Sequence, residues 1–141
     1  MEKLIGEKPV RIFTDYKLRD VARLLVENPD KEYMVTARND NTVWGIMNAS
    51  GVIFAQNSDV DPDQKIESLL YYYRKPLVIK NTEPYEKIEK RARENAKAYR
   101  SLFVNKTGIP QSDFKDFVSE IRWIEVLKLL ANRNLKISKK V

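Results

Sequence analysis

Four cations recur at three- and four-residue spacing in the second half of the chain: Lys90, Arg93, Lys97 and Arg100. On a helix they fall within an arc of roughly 80°. Such a ridge suits phosphate, because each Lys or Arg that neutralises a backbone phosphate releases condensed counterions and adds salt-sensitive affinity. A second segment, Tyr71-Tyr72-Tyr73-Arg74-Lys75, interleaves aromatic and basic residues. Tyrosine rings can stack on bases while the cations hold phosphates, which singles out Tyr72 and Arg74. Both patterns have a plainer reading. Glu86 with Lys90, Glu89 with Arg93 and Lys90 with Glu94 are the i,i+4 pairs of any solvated helix, and tyrosines serve well at the rim of a core.

The missing residue types narrow the chemistry. There is no His and no Cys, so imidazole bases, thiolate nucleophiles and zinc sites with nitrogen or sulfur ligands are excluded. With four glycines and neither GxxxxGK[ST] nor GxGxxG, a glycine-rich phosphate loop is not expected. Asp59-x-Asp61-x-Asp63 resembles the opening of a calcium loop. Gln64 and Leu70, however, stand where that loop needs Gly and Glu, which leaves turn and helix-cap duty. Pro29-Asp30 and Asp63-Gln64-Lys65 supply the letters of a metal-dependent nuclease without its strand framing, and no Ser–Lys hydrolytic pair is framed either. No catalytic residue, cofactor or metal ligand is assigned, and binding is expected rather than catalysis.

Charge is divided unevenly. Residues 1–79 carry 11 Lys/Arg against 12 Asp/Glu, and residues 80–141 carry 15 against 8, so the formal net charge of +6 belongs to the second half. At 141 residues, 43% hydrophobic and 33% charged, the chain has the size and composition of one folded domain. It divides at most into an α+β subdomain at 1–80 and a basic helical subdomain at 81–141 sharing one core. There is no apolar run long enough to span a membrane and no leader-like start, and the lack of cysteine suits a reducing, cytoplasmic setting.

These residues need elements to position them. Pro9–Phe13 reads as a strand, and Leu18, Val21, Ala22 and Leu25 lay one apolar stripe on a helix over 16–27. The runs 32–37, 43–47 and 52–56, separated by turn residues, predict a three-stranded antiparallel meander. Asp61 and Pro62 open a helix ending at Lys75-Pro76, and 76–80 returns as an edge strand. No repeat is evident. A helix over 83–104 packs Ile88, Ala92, Asn95, Ala96, Tyr99, Leu102 and Phe103 and exposes the cationic ridge. Gly108 and Pro110 then break the chain before a long helix over 112–132. Its two apolar sides suit either a central place in the core or a homodimer contact. Leu135, Lys136, Ile137, Lys139 and Lys140 form a basic tail. The fold expected is α+β: a small N-terminal antiparallel sheet carrying two helices, followed by a C-terminal hairpin of long helices.

The segment Ala98–Ile121 resembles a helix-turn-helix, with Gly108 in the turn and Gln111, Ser112 and Lys115 facing DNA. Val104, where close helix crossing wants a small residue, and the charges of Asp113 and Asp116 depart from that pattern. The leading expectation is a non-catalytic nucleic-acid-binding accessory or regulatory protein, for DNA more than RNA, using Lys90, Arg93, Lys97, Arg100, Tyr72, Arg74, Gln111 and Lys115. One alternative is an interaction module or inhibitor that docks an acidic protein. A third is a binder that encloses a small phosphate-bearing ligand between Arg and Tyr of the two halves, without reaction. The composition also suits a phage or mobile-element accessory protein.

Overall fold

The computed structural model describes residues 6–140. The chain runs β1 (Arg11–Phe13), α1 (Leu18–Glu27), β2 (Tyr33–Thr36), β3 (Gly45–Met47) and α2 (Ala49–Asn57). Short 3-10 turns at Ile66–Ser68 and Leu70–Tyr72 lead into β4 (Val78–Lys80), α3 (Tyr85–Asn95), β5 (Ser101–Asn105), β6 (Phe117–Arg122) and α4 (Trp123–Lys140). This is one unit, β-α-β-β-α, made twice. The sequence carries no visible repeat because topology, not residue identity, is what recurs.

Each unit builds one three-stranded sheet. In the first, β1 is parallel to β2 and β2 antiparallel to β3; in the second, β4 is parallel to β5 and β5 antiparallel to β6. The parallel pairs follow from the crossover helices α1 and α3, which return the chain to the same edge of the sheet. Single bridges also join each half to the other's sheet. Glu7, ahead of β1, bonds to Glu120 of β6, while Arg74, ahead of β4, bonds to Ile46 of β3. These reciprocal bridges relate the halves by an approximate two-fold axis. The two loops between antiparallel strands meet across it, at Thr42 and Asp113.

This arrangement replaces the expected antiparallel meander and long-helix hairpin. Residues 52–56 are helix because the Asn48 side chain caps α2, accepting the Gly51 N–H at 3.1 Å, while Val52 and Ala55 bury one face. A four-residue apolar run fits strand or helix, and packing chose helix. The helix expected over 61–75 is two 3-10 turns. The helix expected over 83–104 stops at Asn95, and Ser101–Asn105 enters the sheet between β4 and β6 as a buried strand. The helix expected over 112–132 is likewise divided into a 3-10 turn (Phe114–Asp116), β6 and α4. Gly108 does make a turn, with φ +75° that glycine adopts without strain, but the turn joins two strands. There is accordingly no helix-turn-helix, and no single 112–132 helix to carry a dimer. The side chains of the basic tail lie outside the described residues. Among the described residues no helix is long and apolar enough to cross a membrane.

Three apolar clusters hold the fold. One joins α1 and α2 to the first sheet (Ile12, Leu18, Val21, Leu25, Val35, Val52, Ala55), and another joins α3 and α4 to the second (Leu77, Ile79, Ala92, Leu102, Ile121, Val126). The third lies between the sheets and takes Met34, Val43 and Ile46 from the first half and Val78, Phe103 and Phe117 from the second.

Candidate functional site

Where the first half hands over to the second, residues 70–75 cross the N-terminus of α2. The crossing is held from three sides. Tyr73 donates its hydroxyl to the Ile66 carbonyl at 2.7 Å, Arg74 exchanges backbone bonds with Ile46, and Tyr99 donates to the Lys75 carbonyl at 2.6 Å. Burial pushes the Tyr73 phenol far above its ordinary range, so this tyrosine is a neutral anchor rather than a ligand group. Tyr71 stays exposed and Tyr72 half-buried. Their rings and Phe54 of α2 form a triangle with centroids 5.3–5.9 Å apart, Tyr72 meeting both other rings edge-on and Phe54 tilted at 45° to Tyr71.

The close approach depends on Gly51. A Cβ at that position would stand 2.7 Å from the Tyr72 carbonyl oxygen. Gly51→Ala is expected to lift this crossing segment from α2 and to cost about 1–3 kcal/mol, as overpacking against rigid backbone does. Chemical unfolding with amide exchange at residues 71–74 reads both effects, and unchanged exchange would show that the segment is not seated there.

The crossing encloses a groove of about 550 Å³ lined by Ser50, Gly51, Phe54, Tyr71, Tyr72, Tyr73, Arg74 and Lys75. On the other side of Arg74 and Lys75 a hollow of about 250 Å³ adds Trp44 and Gln111. The Arg74 guanidinium lies 5.6 Å from the centroid of the Tyr99 ring, a cation–π contact that orients it. The groove therefore combines aromatic faces, two cations and the first turn of a helix, at Ser50 and Gly51. That set suits a flat ring carrying an anionic group. A different groove of about 430 Å³ separates α3 from α4. Its walls are mainly apolar (Ala92, Ala96, Trp123, Val126, Leu127, Leu130), with Glu89 and Arg93 at the edge. It offers much less for a phosphate.

The structure brings together Tyr72 and Arg74, with Gln111 in the adjoining hollow. It scatters the other expected site residues. Lys90 and Arg93 are exposed on α3, Lys97 lies in the turn after it, and Arg100 precedes β5 with its guanidinium on the Tyr99 carbonyl at 3.3 Å. The cationic ridge does not form, because the helix that would have carried all four residues ends at Asn95. Lys115 is exposed on a 3-10 turn, not on a recognition helix. Phe54 and Ser50 carry no signal in the sequence that points to this groove, while Lys75, part of the aromatic-basic run, and Trp44, which reads as a core or cross-strand residue with a stacking platform as its alternative, are not among the assigned candidates. Lys75 stood in the quoted tyrosine-rich run, but nothing in the sequence marks α2 as its neighbour. The acidic loop is occupied structurally: Asp61 accepts the Asp63 N–H at 2.9 Å, and Asp63 pairs with Arg19 at 3.1 Å, which holds its carboxyl below the usual range. Among the described residues no group of acidic side chains is placed to hold a metal.

No protein-family model and no curated protein sequence matches the chain. Solved structures do match its fold. A CBS-domain protein of Pyrobaculum aerophilum complexed with AMP superposes with a TM-score of 0.65 at 17% identity, covering 86% of this chain and 85% of that one. A putative acetoin utilization protein of Vibrio cholerae gives 0.68 at 11% identity, over 98% and 93%. The cytosolic domain of a Mg2+ channel in complex with ATP gives 0.61 at 14% identity, over 89% of this chain and 46% of that one. The chain thus has the fold of CBS-domain proteins. This likeness overturns the expectations of a nucleic-acid-binding protein, of an acidic protein partner and of a phage or mobile-element accessory protein. The fold is shared instead with proteins solved with AMP and ATP, and the two DNA-facing devices read from the sequence do not exist in the folded chain.

Proposed function

We propose that this chain is a non-catalytic ligand-responsive module whose groove beside Tyr71–Lys75 takes an adenosine phosphate. The observation that carries the reading is the convergence of three aromatic rings, Arg74, Lys75 and the first turn of α2 on one groove at the seam of the two halves. The fold's likeness to structures solved with AMP and ATP supports it. Tyr71, Tyr72 and Phe54 offer faces and edges to a base, while Arg74 and Lys75 offer charge-assisted hydrogen bonds to phosphate. Among the described residues the groove's walls contain no carboxylate, so no side chain there is a ready general base at neutral pH. Binding without reaction, in a cytoplasmic setting where such nucleotides abound, is the form of the earlier third alternative that the geometry favours.

Isothermal titration with AMP, ATP, adenosine and inorganic phosphate tests this. The nucleotides are expected to bind more tightly than adenosine or phosphate alone, because only they engage both parts of the groove. Arg74→Ala should weaken binding about tenfold, the loss of one charge-assisted hydrogen bond, ~1.4 kcal/mol or more. Arg93→Ala, outside the groove, should leave affinity unchanged. Absence of heat from every adenosine nucleotide at millimolar concentration would refute the proposal.

A further inference from the structure

Polar side chains from both halves meet inside the seam. Lys31 Nζ donates to Glu120 Oε1 at 2.5 Å and to Glu7 Oε2 at 3.4 Å. Ser101 Oγ stands 2.8 Å from Glu120 Oε2 and 2.9 Å from Glu32 Oε1. Asn48 Nδ2 donates to Glu32 Oε2 at 2.8 Å. Glu32, Ser101 and Glu120 are 0% exposed and Lys31 7%. The placement follows the repeat: Glu32 and Ser101 each lie two residues before a residue paired to the start of the neighbouring parallel strand, Met34 with Arg11 and Phe103 with Val78. Equivalent positions of the two halves therefore face each other across the pseudo-two-fold axis.

The hydrogen count is fixed by chemistry. A serine hydroxyl has one proton and can donate to one carboxylate. The contact with the second carboxyl is a hydrogen bond only when that carboxyl brings its own proton. Charge gives the same answer. With both glutamates ionised the buried side chains Glu32, Glu120 and Lys31 set two anions against one ammonium, whereas one added proton leaves a neutral acid beside a Lys31–Glu120 ion pair. Glu120 is the partner in contact with Lys31, so the proton belongs to Glu32, which donates to Ser101 Oγ while Ser101 donates to Glu120.

We propose that Glu32 keeps its proton at neutral pH and that Glu32–Ser101–Glu120–Lys31 is a proton-dependent latch between the two halves, loosened as pH rises. Burial, the largest influence, raises the Glu32 pKa, as does the nearby Glu120 charge. Hydrogen bonds that favour an ionised Glu32, from Asn48, from the Arg100 backbone and from Ser101 whenever its hydroxyl turns to Glu32, oppose the rise. The other groups facing the site are Glu7, which bridges Lys31 and Arg122, and the Tyr33 and Tyr99 phenols, which burial holds neutral. Asn48 ties the latch to the groove side: its Oδ1 caps the first turn of α2 while its Nδ2 holds Glu32. The latch stands on the seam's geometry alone and does not rest on the nucleotide reading.

The sign follows from linkage. An unfolded glutamate titrates near pH ~4.3, and the folded one higher, so between these values the folded state holds one proton more. The latch's contribution is complete below the lower value and is lost as pH rises through the upper one. One linked proton changes the folding equilibrium constant about tenfold per pH unit within that window.

Urea unfolding of the full chain across mildly acid to alkaline pH, for wild type, Glu32→Gln and Glu120→Gln, tests the latch together with infrared spectroscopy. In Glu32→Gln the amide Nε2 can donate to Ser101 and Oε1 can accept from Asn48, reproducing the protonated acid. This variant is expected to flatten the pH dependence and to overtake wild type at alkaline pH. Glu120→Gln should lose stability throughout. The protonated-carboxyl C=O stretch should be present in wild type at neutral pH, missing from Glu32→Gln, and weakened in Glu120→Gln, where Lys31 alone balances an ionised Glu32. The proposal is overturned if the wild-type band is absent, if it survives in Glu32→Gln, or if the Glu32→Gln stability keeps the wild-type pH slope. Should Glu32→Gln fail to fold, wild type alone decides the matter: its band is expected at neutral pH and is expected to disappear as pH rises with the fold intact, and a band that is absent or insensitive to pH overturns the proposal.

Discussion

Phe103→Ala is expected to remove about 3–5 kcal/mol of stability, a large share of what a domain of this size possesses. The ring is fully buried, and it lies where the halves meet, beside Met34, Val43 and Ile46 from one sheet and Val78 and Phe117 from the other. Its edge meets the Phe117 ring with centroids 6.1 Å apart. Alanine leaves a void that neither sheet can close without parting from its partner, so the loss should reach both halves. Trp44 lies in the first half and Trp123 in the second, so Trp44→Phe and Trp123→Phe backgrounds give each half its own fluorescence reporter. Urea transitions of the two reporters should coincide and shift together in Phe103→Ala. Transitions that separate, with only the Trp123 half destabilised, would show that the seam does not couple the folding of the halves.

Lys31→Met should cost a similar amount, also about 3–5 kcal/mol at neutral pH, because it leaves the Glu120 carboxylate buried without its cation. The methionine stem fills much of the space once held by the lysine stem, so cavity formation is a small part of the effect. The sign of its pH dependence identifies the cause. With the ammonium gone, a buried carboxylate charge is left uncompensated, and an added proton neutralises it. The deficit relative to wild type should therefore shrink as pH falls toward the unfolded carboxyl value and grow at alkaline pH. A deficit of constant size at every pH would assign the loss to packing instead of charge.

Much of the local structure was legible. The stripe Leu18, Val21 and Leu25 placed α1, and 33–36 and 45–47 had the β-branched, turn-bounded composition of strands. The errors came where one run of residues satisfies two periods. Val52–Ala55 alternates poorly as a strand and fits a helix once Asn48 caps it. Phe117, Ile121 and Ile124 keep helical spacing, yet Phe117–Arg122 pairs as a strand because β5 supplies partners on that side. The chain's charge imbalance was real but misleading, since cations that share a stripe on paper are divided by a turn in space. Glu32, Ser101 and Glu120 carry a signal of their own: charged and polar letters in or beside largely apolar strands, where among the described residues no group of acidic side chains is placed to hold a metal.

By itself the sequence determined composition-level chemistry: the absence of imidazole and thiol groups, the helix of the first half, the strand segments beside it, and the aromatic-basic run that now lines the groove. Those features depend on residue type and on neighbours a few positions away. Only the tertiary structure decided that two dissimilar stretches fold as one repeated unit, that Ser101–Asn105 becomes a central strand, that α2 meets Tyr71–Lys75, and that Glu32 finds Ser101 and Glu120. These depend on pairing between residues far apart in the chain, 16, 69 and 89 positions for the contacts of Glu32 with Asn48, Glu32 with Ser101 and Lys31 with Glu120, and such pairing is selected by burial and by the satisfaction of buried polar groups in the assembled molecule, which no local pattern records.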